Sequence, residues 1–227
     1  MWGGNKDGDA PVNFVTLQRV VRVFTVLLLP VWAHAQPFEV LVTDARDRPL
    51  QGIGVVVETT PTSPPPAIPP HAVIDQHDEQ FVPRVSIVQR GTLIEFPNTD
   101  RVQHHVYSFS PVKRFELPLY RGNHHPPVLF DQTGIAVLGC NIHDHMVGYV
   151  LIVDTPYFAF SDGSGRARFA SLPNDPVKVT VWHPDLRIGY GAISRSLTLD
   201  NDQRQLTISV PGSASARQET SLSWNDY

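Results

Sequence analysis

Beyond residue 35, short β-rich apolar runs are separated by turn-forming residues. Phe38–Thr43, Gly54–Thr59, Arg84–Gln89, Thr92–Phe96, Gln103–Ser108, Gly134–Leu138 and Val147–Val153 read as strands, as do Ala167–Phe169, Val177–Trp182 and Gln205–Val210. Short runs rich in β-branched and aromatic residues, bounded by turn residues, mark strands. Asp47-Arg48-Pro49 and Ser161-Asp162-Gly163-Ser164-Gly165 read as turns between them. No long amphipathic helix follows the leader. The pattern predicts an all-β sandwich architecture.

The first 35 residues depart from that pattern and read as an export signal. Lys6, Arg19 and Arg22 supply positive charge, Val23 to Ala33 is apolar, and Ala33-His34-Ala35 has the small-x-small form of a cleavage site. Cleavage leaves Gln36 as the first mature residue. The apolar run falls short of the ~20 residues that a membrane span needs. The expectation is an exported, periplasmic protein with no membrane span in the mature chain. Residues 60–70 carry prolines that remove amide donors and fix φ, which predicts a semi-rigid extended linker and a domain boundary. Residues 212–227, rich in serine and polar side chains, are expected to be a disordered tail.

The formal charge of −4 over 227 residues is mildly acidic and gives no reason to expect a nucleic-acid partner. The chain has one cysteine, so it makes no internal disulfide. Cys140 lies in Gly139-Cys140-Asn141-Ile142-His143-Asp144-His145-Met146. Thiolate, imidazole and thioether are donors suited to copper, and a second histidine from elsewhere completes the His2Cys set with a weak axial Met used by blue-copper electron carriers. Zinc accepts Cys and His as well, but the thioether argues against it. No Ser-His-Asp spacing or paired carboxylate motif stands out, so the chain reads as a binding or redox protein and not as an enzyme.

The segment Ile94-Glu95-Phe96-Pro97-Asn98-Thr99-Asp100-Arg101-Val102-Gln103-His104-His105-Val106 resembles the strand-loop-strand element of the plastocyanin and amicyanin families of cupredoxins. Phe96 and Asn98 hold the aromatic and Asn positions that precede the first histidine ligand there, counted from His104. Cys140, His143 and Met146 match the short amicyanin ligand loop, and Gly148–Val153 looks like the last cupredoxin strand. The resemblance spans roughly residues 72–154. It implies one copper ion held by His104, Cys140, His143 and Met146. His105 stands where those families usually have Asn. Spacing favours His104 as the ligand, whereas strand alternation, which groups His105 with Tyr107 and Phe109, favours His105. His145 is an alternate to Met146, disfavoured because neighbouring residues of a short loop do not easily converge on one ion. His124 and His125 read as loop residues, His71 and His77 as solvent-facing, and His183 as structural.

Residues 37–59 and 155–211 together resemble a carboxypeptidase regulatory-like, transthyretin-like β-sandwich, on the strength of Asp-Arg-Pro-Leu, Ser-Asp-Gly-Ser-Gly-Arg-Ala-Arg-Phe and Ser-Leu-Pro. This implies a cupredoxin Greek-key sandwich (72–154) inserted in, or packed beside, a second sandwich. The leading functional expectation is a periplasmic blue copper protein that passes single electrons to a redox partner such as a periplasmic cytochrome or dehydrogenase. The alternatives are a copper-handling protein and a structural interaction module without electron transfer.

Overall fold

The structure is a computed structural model that describes residues 1, 4, 36–60, 69–123, 125–173, 175–186 and 192–211. The expected export signal, apart from Met1 and Gly4, most of the expected linker, and the expected tail lie outside the described residues. Every regular element among the described residues is a strand. In chain order these are β1 (Gln36–Asp44), β2 (Gly54–Thr59), β3 (His71–Val73), β4 (Asp75–His77), β5 (Gln80–Val82) and β6 (Val85–Gln89). Next come β7 (Thr92–Glu95), β8 (His104–Ser110), β9 (Lys113–Tyr120), β10 (Val128–Phe130), β11 (Gly134–Gly139) and β12 (Val147–Val153). The last are β13 (Phe158–Phe160), β14 (Arg166–Leu172), β15 (Pro176–Trp182), β16 (Ala192–Thr198) and β17 (Gln205–Val210).

Two separate apolar cores organise these strands. The first joins Phe38, Val40, Val42, Ile53, Val55 and Val57 to Phe169, Leu172, Val177, Val179, Val181 and Ile208. It lies between the sheet β14-β1-β17 and the sheet β13-β2-β15-β16. The second joins Ile74, Phe81, Ile94, Phe96, Val106, Phe130, Leu138, Cys140, Met146, Val150 and Ile152. It is enclosed by the five-stranded sheet β6-β12-β11-β8-β9, the sheet β10-β7-β3 and the hairpin β4-β5. The chain enters the first lobe, leaves after β2, builds the second lobe, and returns at β13, which pairs with β2 antiparallel. β14 alternates in and out, as a strand with one covered face does, whereas β2 is buried on both faces.

Specific groups meet where the lobes touch. Arg84 places its guanidinium 2.6 Å from Asp185 and 5.5 Å from the centre of the Tyr149 ring. Where the chain re-enters the first lobe, the Thr155 hydroxyl donates to the Val57 carbonyl of that lobe at 2.7 Å. Gly54 sits so close to Ile87 that a Cβ there would lie 2.5 Å from its terminal methyl.

β2, β12 and β17 have the bounds read from the β-rich runs of the sequence. β9 was not predicted: Pro118 interrupts its pattern, and it is tolerated because β9 is the sheet's edge, where a missing amide donor costs no ladder bond. The short strands β3, β4, β5, β10 and β13 have too few residues to show a period.

The turn before β14 shows how tightly the first lobe is specified. One oxygen of Asp162 accepts the Ser164 hydroxyl at 2.6 Å, the Ser164 amide at 2.8 Å and the Arg166 amide at 3.1 Å. The other accepts Arg168 at 2.5 Å. The Ser164 hydroxyl, then the Arg166 amide, hold this carboxyl well below the usual carboxylate range. Its stabilisation is therefore complete above ~pH 4 and is lost as pH falls towards the folded value. Asp162→Asn is expected to lower the urea midpoint at pH 7, with the gap to the parent closing as pH is taken below 4. Gly165→Ala places a Cβ 2.7 Å from the Val42 carbonyl at φ +76 and is expected to cost ~1–3 kcal/mol. Gly163→Ala, which meets nothing closer than 3.9 Å, is expected to stay within about 0.5 kcal/mol.

Candidate metal centre

The loop between β7 and β8 is braced before it delivers His104. Asn98 is buried and donates through Nδ2 to the carbonyls of Tyr120 at 2.8 Å and Val102 at 3.0 Å, while its Oδ1 accepts the Asp100 amide at 3.0 Å. Its backbone pairs in both directions with Gly122 at 3.0 Å. Gln76 supports the loop from beneath: its carbonyl accepts the amides of Thr99 and Asp100, and its Nε2 donates to the Pro97 carbonyl at 3.0 Å and the Tyr120 hydroxyl at 2.6 Å. The Tyr120 hydroxyl in turn donates to the Phe96 carbonyl, and burial pushes its pKa up to about 12.

Cys140 follows the last residue of β11, and Met146 precedes the first residue of β12. Gly139 pairs with Val147, so the ligand loop is clamped at its base by the ladder. The Met146 amide donates to the His143 carbonyl at 2.9 Å and closes the turn. Gly139 is required by a close approach: a Cβ there would lie 2.7 Å from the Tyr107 ring.

These two loops bring His104, Cys140 and His143 together, with one donor atom from each lying within 4.8 Å of the other two. His104 Nδ1 is 3.2 Å from His143 Nδ1, and Cys140 Sγ is 3.8 Å from the same nitrogen. Bonds of ~2.0–2.3 Å from imidazole and thiolate, set 110–120° apart around one ion, place the donors roughly 3.3–3.8 Å from each other. The spacing therefore fits a single transition-metal ion. His104, Cys140 and Met146 are buried, and the His143 side chain keeps 20% exposure.

Two carboxylates that the sequence reading did not single out complete the surroundings. Asp100 Oδ2 lies 2.9 Å from His104 Nε2 and also accepts the Glu79 amide at 2.9 Å. The Glu79 amide first, and His104 second, bring the Asp100 carboxyl down to about 2 against the opposing effect of burial. Glu79 extends its carboxylate to 3.8 Å from His143 Nε2 and 3.3 Å from His145 Nε2. Asp100 falls four residues before His104 on the same loop, a spacing that could have suggested it. Glu79 comes from the β4-β5 turn, and only the tertiary fold places it.

His105 points away from this cluster. Its Nε2 meets Glu116 on β9 at 2.8 Å, and its ring, itself buried, packs 5.7 Å from that of Tyr107, which lies 4.9 Å from Phe109 on the same face of β8. Strand alternation pointed to His105 on the premise that the aromatic face is inward. Phe109 is 69% exposed, and His104, Val106 and Ser108 form the buried face. His145 is 64% exposed beside Glu79. His71 and His77 are more than half exposed. His183 is buried, accepts the Asp185 amide at 3.2 Å, and is held below the usual imidazole range by burial. His125 packs edge-on against Tyr120, and His124 lies outside the described residues.

The division of the adjacent histidines is directly testable. Were the cluster to take up copper, His104→Ala is expected to weaken that binding by more than the ~10–100-fold that follows loss of a ligand's supporting contact. His105→Ala is expected to leave affinity within a few-fold of the parent. Competition titration of the metal-free variants against a chelator of known affinity measures both.

No family model matches the chain, and no curated protein matches it. Solved structures do. A purple cupredoxin from Nitrosopumilus maritimus is 20% identical, with 36% of this chain and 98% of that one covered at a TM-score of 0.33. An amicyanin from Paracoccus versutus is 15% identical, with 42% and 96% covered at 0.32. A copper-containing nitrite reductase from Thermus scotoductus is 22% identical, with 37% of this chain and 22% of the reductase covered at 0.34. These likenesses extend over less than half of this chain.

Proposed function

We propose that the second lobe is a cupredoxin-type blue copper module, that it holds one copper ion through His104, Cys140 and His143 with Met146 as a weak fourth donor, and that it passes single electrons in the periplasm. The observation that carries this reading is the convergence of one thiol sulfur and two imidazole nitrogens at ion-binding distances on two braced loops. Copper, when bound, supplies a one-electron couple. The chain's own residues supply the rest. Gln76, Asn98 and Tyr120 hold the His104 loop, and the Gly139–Val147 pair fixes the ends of the Cys140 loop. Donors held in place before and after a change of charge need little rearrangement. Burial of His104, Cys140 and Met146 keeps water and exogenous ligands away, while the partly open His143 edge is the natural contact for a redox partner, such as a periplasmic cytochrome or dehydrogenase. Among the described residues no helix is long and apolar enough to cross a membrane. The first lobe, with its resemblance to carboxypeptidase regulatory-like sandwiches, would serve as the scaffold into which this module is inserted.

A second reading has its own support. His145 is exposed and lies beside Glu79 at the mouth of the site, an arrangement suited to a protein that collects copper without passing electrons. Visible spectroscopy separates the two. The electron-transfer reading expects an intense thiolate-to-Cu(II) band on adding Cu(II) to the purified chain, bleached by a reductant, restored by reoxidation and absent from Cys140→Ser. Copper binding with only weak d–d absorption would instead establish the handling role.

A further inference from the structure

We propose that Asp100 is a positioning residue for the metal-binding histidines and that, together with Glu79, it biases the centre towards its oxidised, more highly charged state. The second half of this inference rests on the copper reading above; the first half concerns the protein without metal.

His104 is fully buried, so both of its ring nitrogens need partners. Its Nε2 faces Asp100 Oδ2 at 2.9 Å. An ionised carboxylate only accepts, so Nε2 carries the proton. In the neutral ring the lone pair then resides on Nδ1, the nitrogen that faces His143 and Cys140. The fold thus selects the metal-binding tautomer before any ion arrives. Asp100 is itself immobilised. Its Oδ1 accepts the Arg101 amide at 2.7 Å, and its own amide is bound by Asn98 Oδ1 and the Gln76 carbonyl.

The same Asp100 oxygen reaches the second histidine indirectly. It accepts the Glu79 amide, in a turn where Asp78 and Glu79 both have positive φ, 48 and 56. Non-glycine residues seldom adopt that conformation, and this hydrogen bond helps hold it. The turn carries the Glu79 carboxylate over the outward nitrogen of His143 at 3.8 Å, longer than a hydrogen bond but within reach of a direct charge interaction. The outward nitrogens of both imidazoles therefore face carboxylates joined through one hydrogen bond. A carboxylate behind a ligand imidazole raises its basicity and orients it. The raised basicity favours Cu(II) over Cu(I), because the added negative charge is felt more strongly by the ion of higher charge.

Two measurements on the full chain test this. In the metal-free, 15N-labelled protein, long-range 1H–15N correlation is expected to show His104 protonated on Nε2 in the parent. The same is expected in Asp100→Asn, whose amide oxygen still accepts, with a shift towards Nδ1–H in Asp100→Ala. In the copper-loaded protein, Asp100→Asn and Glu79→Gln are each expected to raise the reduction potential and to weaken Cu(II) binding more than Cu(I) binding. A tenfold change in relative affinity corresponds to ~59 mV for a one-electron couple. His104 protonated on Nδ1 in the metal-free parent overturns the positioning role. Unchanged or lowered potentials in both charge-neutralised variants overturn the redox bias. A parent chain that binds no copper removes the copper reading and the bias with it, whereas the tautomer measurement still decides the positioning role alone. Asp100→Asn and Glu79→Gln decide the matter even if Asp100→Ala does not fold.

Discussion

A buried imidazole with both nitrogens to satisfy is the constraint on which the rest of the site depends. Leaving one buried polar atom unpaired costs ~1–3 kcal/mol, and His104 has two and no access to water. Asp100 answers one of them, and the cluster with His143 and Cys140 answers the other. Each partner then has to be held in turn. Asp100 depends on Asn98 and Gln76, these depend on Tyr120 and on the Gly122 backbone, and Tyr120 is carried by the edge strand β9. The polar network beneath the loop is thus built backwards from a single ring.

The β-architecture supplies what such a network needs, two loops that start and stop at fixed places. β11 and β12 pair residue by residue from Gly134–Ile152 to Gly139–Val147, so the Cys140–Met146 loop opens from a closed ladder. β12 also pairs in parallel with β6, and the residue before β6, Arg84, is gripped by Asp185 of the first lobe and by Tyr149 of β12. One strand therefore connects the base of the ligand loop to the joint between lobes. Any tilt of the lobes relative to each other is opposed by the buried Gly54–Ile87 contact.

Much of this was legible in the sequence, for a physical reason. β-rich runs between turn residues and a short Cys-x-x-His-x-x-Met loop are local patterns, and β2, β12 and β17 emerged with the bounds that those runs gave them. Asn98 was legible too, by its distance from His104. The choice between His104 and His105 was not, because alternation says that two residues face opposite ways without saying which way is in. The aromatic pair Tyr107 and Phe109 suggested the wrong side: aromatic rings can line an exposed sheet face, and here small Ser108 and Val106 fill the core. Glu79 and Gln76 were invisible because their roles arise from β4 and β5, strands of three residues whose pairing no period announces.

Burial around the centre is graded. His104, Cys140 and Met146 are sealed, His143 is one-fifth exposed, and His145 stands largely in water. A site meant to exchange its ion freely would gain from several open donors, and a site meant never to react would gain from none. Here a single ring edge reaches the surface, next to one carboxylate. Access to the cluster is therefore confined to the His143 edge. On the copper reading, the same gradient separates two tasks. The sealed side, where Asp100 fixes His104, sets the electronic character of the centre. The open side, where Glu79 and His145 meet solvent, sets what approaches it. Changes on the open side, at His145 above all, should therefore alter encounter with a partner far more than the environment of His104.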